Sequence, residues 1–564
     1  MYTSAKRFSF ILFALLLLAN CTPKTTTQKI DKLLYNATFY TLIDSLPIAE
    51  AVAIHEGRIV GVGKKEELLK QFAPDTSEDL KGAFVYPGFI DGHAHFYGLG
   101  MFTHRADLTG SKSFEEALMR LQEFAKTNSE PWLLGRGWDQ NLWEGKKFPD
   151  KTKLDALFPD RPVLLKRVDG HGALANQKAL DLAGITSKSV IAGGMVEVKV
   201  GKLTGILLDN AVDSVEKAIP QPTDEQVKTY LLKAQEICFA NGLTSVVDAG
   251  LEKRFIDIIK KLQDEGLLKM RLNVMVSADD AGLDYYLKNG PIKTPLLNVS
   301  SFKLYGDGAL GSRGACLLQP YSDAPETKGF LLSSPERLTE VINRVAKSKF
   351  QLCTHCIGDS ANRFVLNAYG AALGENNNRR WRIEHAQVVN RDDIAKYKQF
   401  GVLPSMQPTH ATSDGVWAVD RLGNERITNA YALKTLMQQN GLIVLGTDFP
   451  VEGVSPLETF HAAVKRATYA QLSAKSILIP ADSITNEAQW GFQPQDALSR
   501  IEALKGITIW SAYGSFEENE KGSMAVGKYA DFTVLNKDIL TTPALHEAYV
   551  LSTWINGMKV FEKK

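Results

Sequence analysis

Two histidines one residue apart, His93 and His95, lie in the stretch Pro87-Gly88-Phe89-Ile90-Asp91-Gly92-His93-Ala94-His95-Phe96, behind the apolar run Phe84-Val85-Tyr86. Side chains alternate along an extended strand with a period of two, so both imidazoles face the same side. Neutral imidazole is the commonest metal ligand in proteins. The chain has only ten histidines, and two of them at one strand-to-loop junction predict half of a metal site. Metal-capable or basic side chains recur at the ends of other short apolar runs: Lys303, His355, His385 and Asp448. A solitary Asp behind a strand is ordinarily a helix N-cap, but capping does not account for six such positions together. His171, in Val168-Asp169-Gly170-His171-Gly172, is a further candidate for substrate contact.

These residues can meet only if the strands that carry them lie side by side. From about residue 226 the pattern alternates strand and helix. The expected strands are Thr244–Asp248, Arg271–Val276, Ser301–Tyr305, Gln351–Thr354, Arg382–Glu384, Val402–Met406 and Leu442–Leu445. Expected helices include Val227–Ala240, closed by the Asn241-Gly242 C-cap signal, and Pro335–Lys347, Asp359–Tyr369 and Arg391–Gln399. With the strand ending at His93 there are eight strands, so the expected fold class is α/β, a (β/α)8 TIM-like barrel over residues 87–504. Active sites of such barrels form at the C-terminal ends of the strands, where these candidates fall. No G-x-G-x-x-G follows a strand, which weakens a nucleotide-binding alternative.

The short strand-like runs of residues 31–86 resemble those of 505–564, and neither set suffices for a two-layer core alone. A composite β-sandwich from both chain ends is expected, its N-terminal part antiparallel, with His55 in a turn. Residues 108–225 read as a substrate-contacting insertion, in which Trp132, Trp138 and Trp143 suit a core as well as a binding surface. In Cys353-Thr354-His355-Cys356 the two cysteines point to opposite sides of a strand, which predicts packing rather than chelation.

Lys+Arg (65) nearly cancels Asp+Glu (64), so nothing favours nucleic acid, and the expected partner is a small molecule. Five cysteines do not make a disulfide framework in 564 residues. At the N-terminus, Lys6-Arg7 precede an apolar run from Phe8 to Ala19, too short to span a bilayer and typical of a secretory signal. Leu18-Ala19-Asn20-Cys21 resembles a bacterial lipobox. Residues 1–20 are thus expected to be a lipoprotein-type signal peptide and 21–30 a tether, with Cys21 lipidated. The chain would then be exported and lipid-anchored to a bacterial membrane, at the periplasmic face or cell surface.

Six motifs together resemble the metal-dependent amidohydrolase superfamily, in the branch that contains N-substituted formamide deformylases. They are Pro87 to His95, Lys303 to Arg313, Thr354 to Asp359, Arg382 to Ala386, Ser405 to Pro408 and Gly446 to Val451; the tail Gly522 to Asp531 also matches. The resemblance implies two divalent ions, zinc first, with manganese or iron as alternatives. It assigns His93 and His95 to one ion, His355 and His385 to the other, and Lys303 between them. An ammonium has donors only, so Lys303 would serve as a carboxylated lysine. Asp448 would be both metal ligand and general base. His171 and His410 would hold the substrate carbonyl, and Arg313 would clamp a substrate carboxylate. The implied activity is hydrolysis of a non-peptide amide C–N bond in an N-acyl or N-formyl substrate. Lactone, carbamate or ester hydrolysis, and a catalytically silent binding protein on this scaffold, remain alternatives, as does a homodimer.

Overall fold

A computed structural model describes residues 27–468 and 491–564. Cys21 and the signal segment lie outside the described residues. Eight parallel strands form the barrel, numbered here in chain order: β1 (Phe89–Ala94), β2 (Leu243–Leu251), β3 (Arg271–Ser277), β4 (Leu297–Tyr305), β5 (Gln351–Cys356), β6 (Arg382–His385), β7 (Leu403–Met406) and β8 (Val444–Leu445), and the short strand Ile292–Lys293 adds antiparallel to β4. Each strand pairs with its successor. The strands are buried almost throughout, as parallel strands covered on both faces must be. Their outer faces pack on helices such as Asp224–Ala240, Pro335–Ala346, Asp359–Leu373 and Arg391–Gln399. The first of these starts on a capping box, in which Thr223 and Gln226 satisfy each other's backbone.

The ring closes between β1 and the loop after β8. Asp448 N–H donates to the His93 carbonyl at 2.8 Å, and Thr447 donates to the Asp91 carboxylate through N–H (3.1 Å) and Oγ1 (2.6 Å). Gly446 lies so close that a Cβ there would sit 2.5 Å from His93 N. The expected barrel is thus present, but its lower end runs past 504. That position falls inside helix Arg500–Gly506, and the next helix, Ile509–Gly514, packs against Val444 of β8.

Strands from both chain ends form one seven-stranded sheet, in the order Met558–Glu562, Val550–Ile555, Phe532–Leu535, Phe72–Pro87, Gln28–Tyr40, Ile48–His55, Arg58–Gly63. Ile59 near one edge and Trp554 near the other join a single apolar cluster with Leu34, Val85 and Phe532, so the sheet wraps around its own core. The N-terminal part is mixed rather than wholly antiparallel. Helix Lys65–Gln71 carries the chain back across the sheet, so Phe72–Pro87 runs parallel to Gln28–Tyr40. Arg271 of β3 grips Asp531 through Nε (2.6 Å) and Nη2 (3.0 Å), both side chains buried, and so fastens barrel to sheet.

The segment after β1 builds a six-stranded sheet, in the order Gly194–Lys199, Lys202–Asp209, Gly172–Ala175, Val163–Arg167, Leu133–Trp138, Ala106–Asp107. Trp132, Trp138 and Trp143 belong to its cores: Trp138 donates to the Leu165 carbonyl and Trp143 to that of Ser111. This sheet covers the C-terminal mouth of the barrel, and a cavity of about 1010 Å³ lies between them.

Candidate active site

His93, at the end of β1, His385, at the end of β6, and Asp448, just past β8, bring ligand atoms within 4.8 Å of one another, all buried. His93 Nε2 and His95 Nε2 approach the same Asp448 oxygen at 3.6 and 3.2 Å. Lys303 Nζ, on β4, lies 3.3 Å from His93 Nε2. His355, at the end of β5, sets its ring 4.6 Å from His385, and His410 brings Nε2 to 3.6 Å from the other Asp448 oxygen. His385 (φ 72°) and Asp448 (φ 62°) have left-handed backbones, unusual for non-glycine residues; such strain gathers at functional sites.

Outer partners fix which nitrogen each ring presents. Glu384 accepts from His93 Nδ1 at 2.5 Å, so the Nε2 lone pair faces the centre. Arg382 lies against Glu384 (Nε 2.7 Å, Nη2 2.9 Å) and also donates through Nη2 to the Gly92 carbonyl and Ser405. Gln407 Oε1 accepts from His385 Nδ1 at 2.7 Å, which again leaves Nε2 toward the centre. His355 has Nε2 3.4 Å from the Gly308 carbonyl, which leaves Nδ1 available.

Burial, helped by the Lys303 charge, pushes His93 down to about 4, and burial holds His355 and His385 well below the usual histidine range. Glu384 is also buried, which opposes ionisation, yet Arg382 and His93 keep its carboxyl well below the ordinary carboxylate range. For Asp448 burial likewise works against ionisation, but the His95 contact and the neighbouring His93 and His385 imidazoles keep it low. Three neutral, pre-oriented imidazoles around one ionised carboxylate are the donor set that fits a divalent cation. Lys303 is lowered by burial and has no carboxylate within ion-pair reach among the described residues. Nearby Asp307 does not pair with Lys303; it accepts from the backbone N–H groups of Cys316, Ile357 and Gly358 at 2.8 to 2.9 Å.

His171 reaches the centre from the covering sheet, its ring 4.9 Å from that of His355. Asp209 accepts from its Nδ1 at 2.8 Å. Burial alone would lower His171, but Asp209 outweighs it and raises the imidazole above its usual value. Asp209 has a left-handed φ of 52° and sits in a notch that only glycines leave open: a Cβ at Gly308 or Gly314 would lie 2.5 Å from its carboxylate. Tyr305 lines the same wall, its ring 5.6 Å from His355.

Arg313 is a correction. Its guanidinium forks onto Asp323, with Nε at 3.2 Å and Nη2 at 2.8 Å, and does not line the cavity. Cys353 faces the barrel interior beside Val247 and Met275, while Cys356 packs in the outer layer, so both are packing residues. Glu384, Asp209 and Gln407 had no role on sequence alone. Glu384 stands beside His385 inside a quoted motif, yet alternation sends its side chain the other way round the strand, and only β-strand neighbours reveal its contact with His93. Asp209 could be found only by knowing that strand Lys202–Asp209 pairs with Gly172–Ala175, next to His171.

The family model described as the amidohydrolase family matches residues 77–561. Protein LONG AFTER FAR-RED 3 of Arabidopsis thaliana is 30% identical over 94% of this chain and 91% of its own. N-substituted formamide deformylase of Arthrobacter pascens is 26% identical over 95% of this chain and 99% of its own. Among solved structures, an uncharacterized metal-dependent hydrolase from Pyrococcus horikoshii superposes with a TM-score of 0.72 at 28% identity, covering 91% of this chain and 98% of that one.

Proposed function

This chain belongs to the amidohydrolase family, and from that premise we propose that its centre hydrolyses the amide C–N bond of a small N-acyl or N-formyl substrate. The observation that carries the reading is the convergence of His93, His385 and Asp448 within 4.8 Å at the C-terminal mouth of the barrel. The relative from Arthrobacter pascens is named for deformylation of N-substituted formamides, which supports an amide rather than an ester. His93, His95, His355 and His385, with Asp448 and a carboxylated Lys303, would hold two divalent ions. When bound, such ions supply Lewis-acid polarisation of a carbonyl and a lowered pKa for water.

Asp448 takes the proton of the attacking water and passes it to the leaving nitrogen as the C–N bond breaks, so that acid and amine are the products. His171, held by Asp209, donates Nε2–H toward the carbonyl oxygen as it gains charge. Burial lowers the Lys303 pKa, which favours the neutral amine that would react with CO2 to form a carbamate. At the chain's start, Cys21 would carry a lipid anchor to a bacterial membrane; equal palmitate labelling of wild type and Cys21→Ala would overturn that assignment. The activity itself is tested by incubating the full-length chain, purified in detergent and zinc-loaded, with N-formyl amines, N-acyl amino acids, cyclic amides and lactones. Amine release from an N-acyl or N-formyl substrate is expected, and turnover of lactones alone would refute the amide reading.

A further inference from the structure

Four lysine and arginine side chains line the cavity, and three of them are accounted for. Lys303 stands against His93. Lys166 holds both oxygens of Glu216 at 3.1 Å, and Arg167 is clamped between Asp139 and Asp169. Arg136 is different: none of the ion pairs of the described residues includes it. Its Nη2 touches only the Val168 carbonyl, at 3.3 Å, and its Nε is shielded from solvent without an acceptor. A guanidinium carries five donors in a planar fork. The shielded Nε is a donor left without an acceptor, which is costly, and the Nη groups are left free to meet a ligand in the cavity.

The surroundings sharpen the point. Arg136 pairs across the sheet with Lys166, so the two cations share a face. Arg105 is near enough that its charge, after burial, is the largest influence depressing Arg136. Among the described residues Arg105 also forms no ion pair: its Nη2 lies 3.2 Å from Met101 Sδ, and its Nε is buried without a partner. Glu216, whose charge reaches both guanidiniums, is held by Lys166, and Asp107, the partner of Arg136 on the other neighbouring strand, makes no ion pair with it among the described residues. The guanidinium lies against the Gly170 backbone, where a Cβ would sit 3.3 Å from Nη2. The next residue is His171, so the fork opens into the cavity one residue from the group that faces the substrate carbonyl.

We propose that Arg136, with Arg105 behind it, is the subsite for a substrate carboxylate, which makes an N-acyl amino acid the class of amide this cavity takes. An Arg fork binds the two oxygens of a carboxylate side by side, and the anion would relieve the repulsion between the two guanidiniums. The role once expected of Arg313 thus passes to a residue of the covering sheet. This inference rests on the amide-hydrolase reading, and two separate measurements tell their failures apart.

The zinc-loaded full-length chain is assayed with N-acetylphenylalanine and with its primary carboxamide, which differ only in the carboxylate. Wild type should favour the acid, and Arg136→Gln should cut the acid-to-carboxamide ratio of kcat/KM by about 10- to 100-fold. Arg136→Lys, which keeps charge but not the fork, should recover part of the ratio; it also serves if the Gln variant does not fold. An unchanged ratio in the variant overturns the subsite. If neither compound is hydrolysed, calorimetric binding of N-acetylphenylalanine decides. Binding to wild type that is lost in the variant upholds the subsite while counting against hydrolysis, whereas equal binding, or none, overturns it.

Discussion

Replacement of Glu384 by Gln tests whether the buried carboxylate sets the chemistry of His93. The change keeps shape and removes one charge. In the wild type one Glu384 oxygen accepts from His93 Nδ1, and the carboxylate lies 2.7 and 2.9 Å from two Arg382 nitrogens. A glutamine that turns its carbonyl to His93 must turn its amide N–H toward Arg382 Nε, donor against donor; the opposite flip puts the clash on His93. Removing one partner of a buried ion pair costs about 3–5 kcal/mol. Because Arg382 Nη2 keeps the Gly92 carbonyl and Ser405, each at 2.7 Å, the lower figure, about 3 kcal/mol, is expected. Loss of an outer partner of a metal-binding histidine weakens affinity by roughly 10- to 100-fold. Zinc affinity, measured by competition with a chromophoric chelator, should fall within that range, and the metal-free protein should melt earlier. An affinity within about threefold of wild type, together with an unchanged melting midpoint, would refute the account of Glu384 as the group that orients His93.

Asp448→Asn should retain zinc but lose turnover by about 100-fold or more, read from metal content and amine release on one preparation. Asp209→Asn should lower kcat by about 100-fold with metal content unchanged; a drop in metal content instead would mean that Asp209 supports the ligands rather than His171. Chelation should abolish activity, and zinc at about 100 times its Kd should restore it and add about 2.7 kcal/mol of stability, which denaturant titration reads. The buried Glu517 lies between Lys521 (2.7 Å) and Lys293 (2.5 Å), and although burial opposes ionisation the two ammonium groups hold it below its ordinary 4.5. A carboxyl lowered in the fold binds fewer protons there than in the unfolded chain, so its contribution is complete above that value and declines as the pH falls below it. Glu517→Gln should therefore lower the melting midpoint at pH 7 and flatten the acid side of the stability profile.

How much could be read in advance follows from how each feature is encoded. All eight barrel strands were legible because each is a short apolar run bounded by turn residues, and because helix signals such as Asn241-Gly242 separate them. His93, His95, Lys303, His355, His385 and Asp448 were legible because each ends such a run. Partners chosen by lateral pairing were not. Glu384 and His93 are 291 positions apart, and no local pattern says that the two strand ends face each other. Arg313 misled for the same reason: the residue type was right for a carboxylate, but Asp323 ten positions on takes the guanidinium. Arg136 is the converse case, since an arginine within Gly135-Arg136-Gly137 becomes informative only once the fold shows that it forms no ion pair among the described residues.

The terminal sheet has a consequence for the timing of biosynthesis. Its strand Phe72–Pro87 pairs Val85 with Val534, a residue that emerges about 450 positions later. At a synthesis rate of roughly 5–20 residues per second, that edge waits roughly 20 to 90 s for its partner. For most of its translation the nascent chain therefore displays an open hydrogen-bonding ladder next to the first site strand.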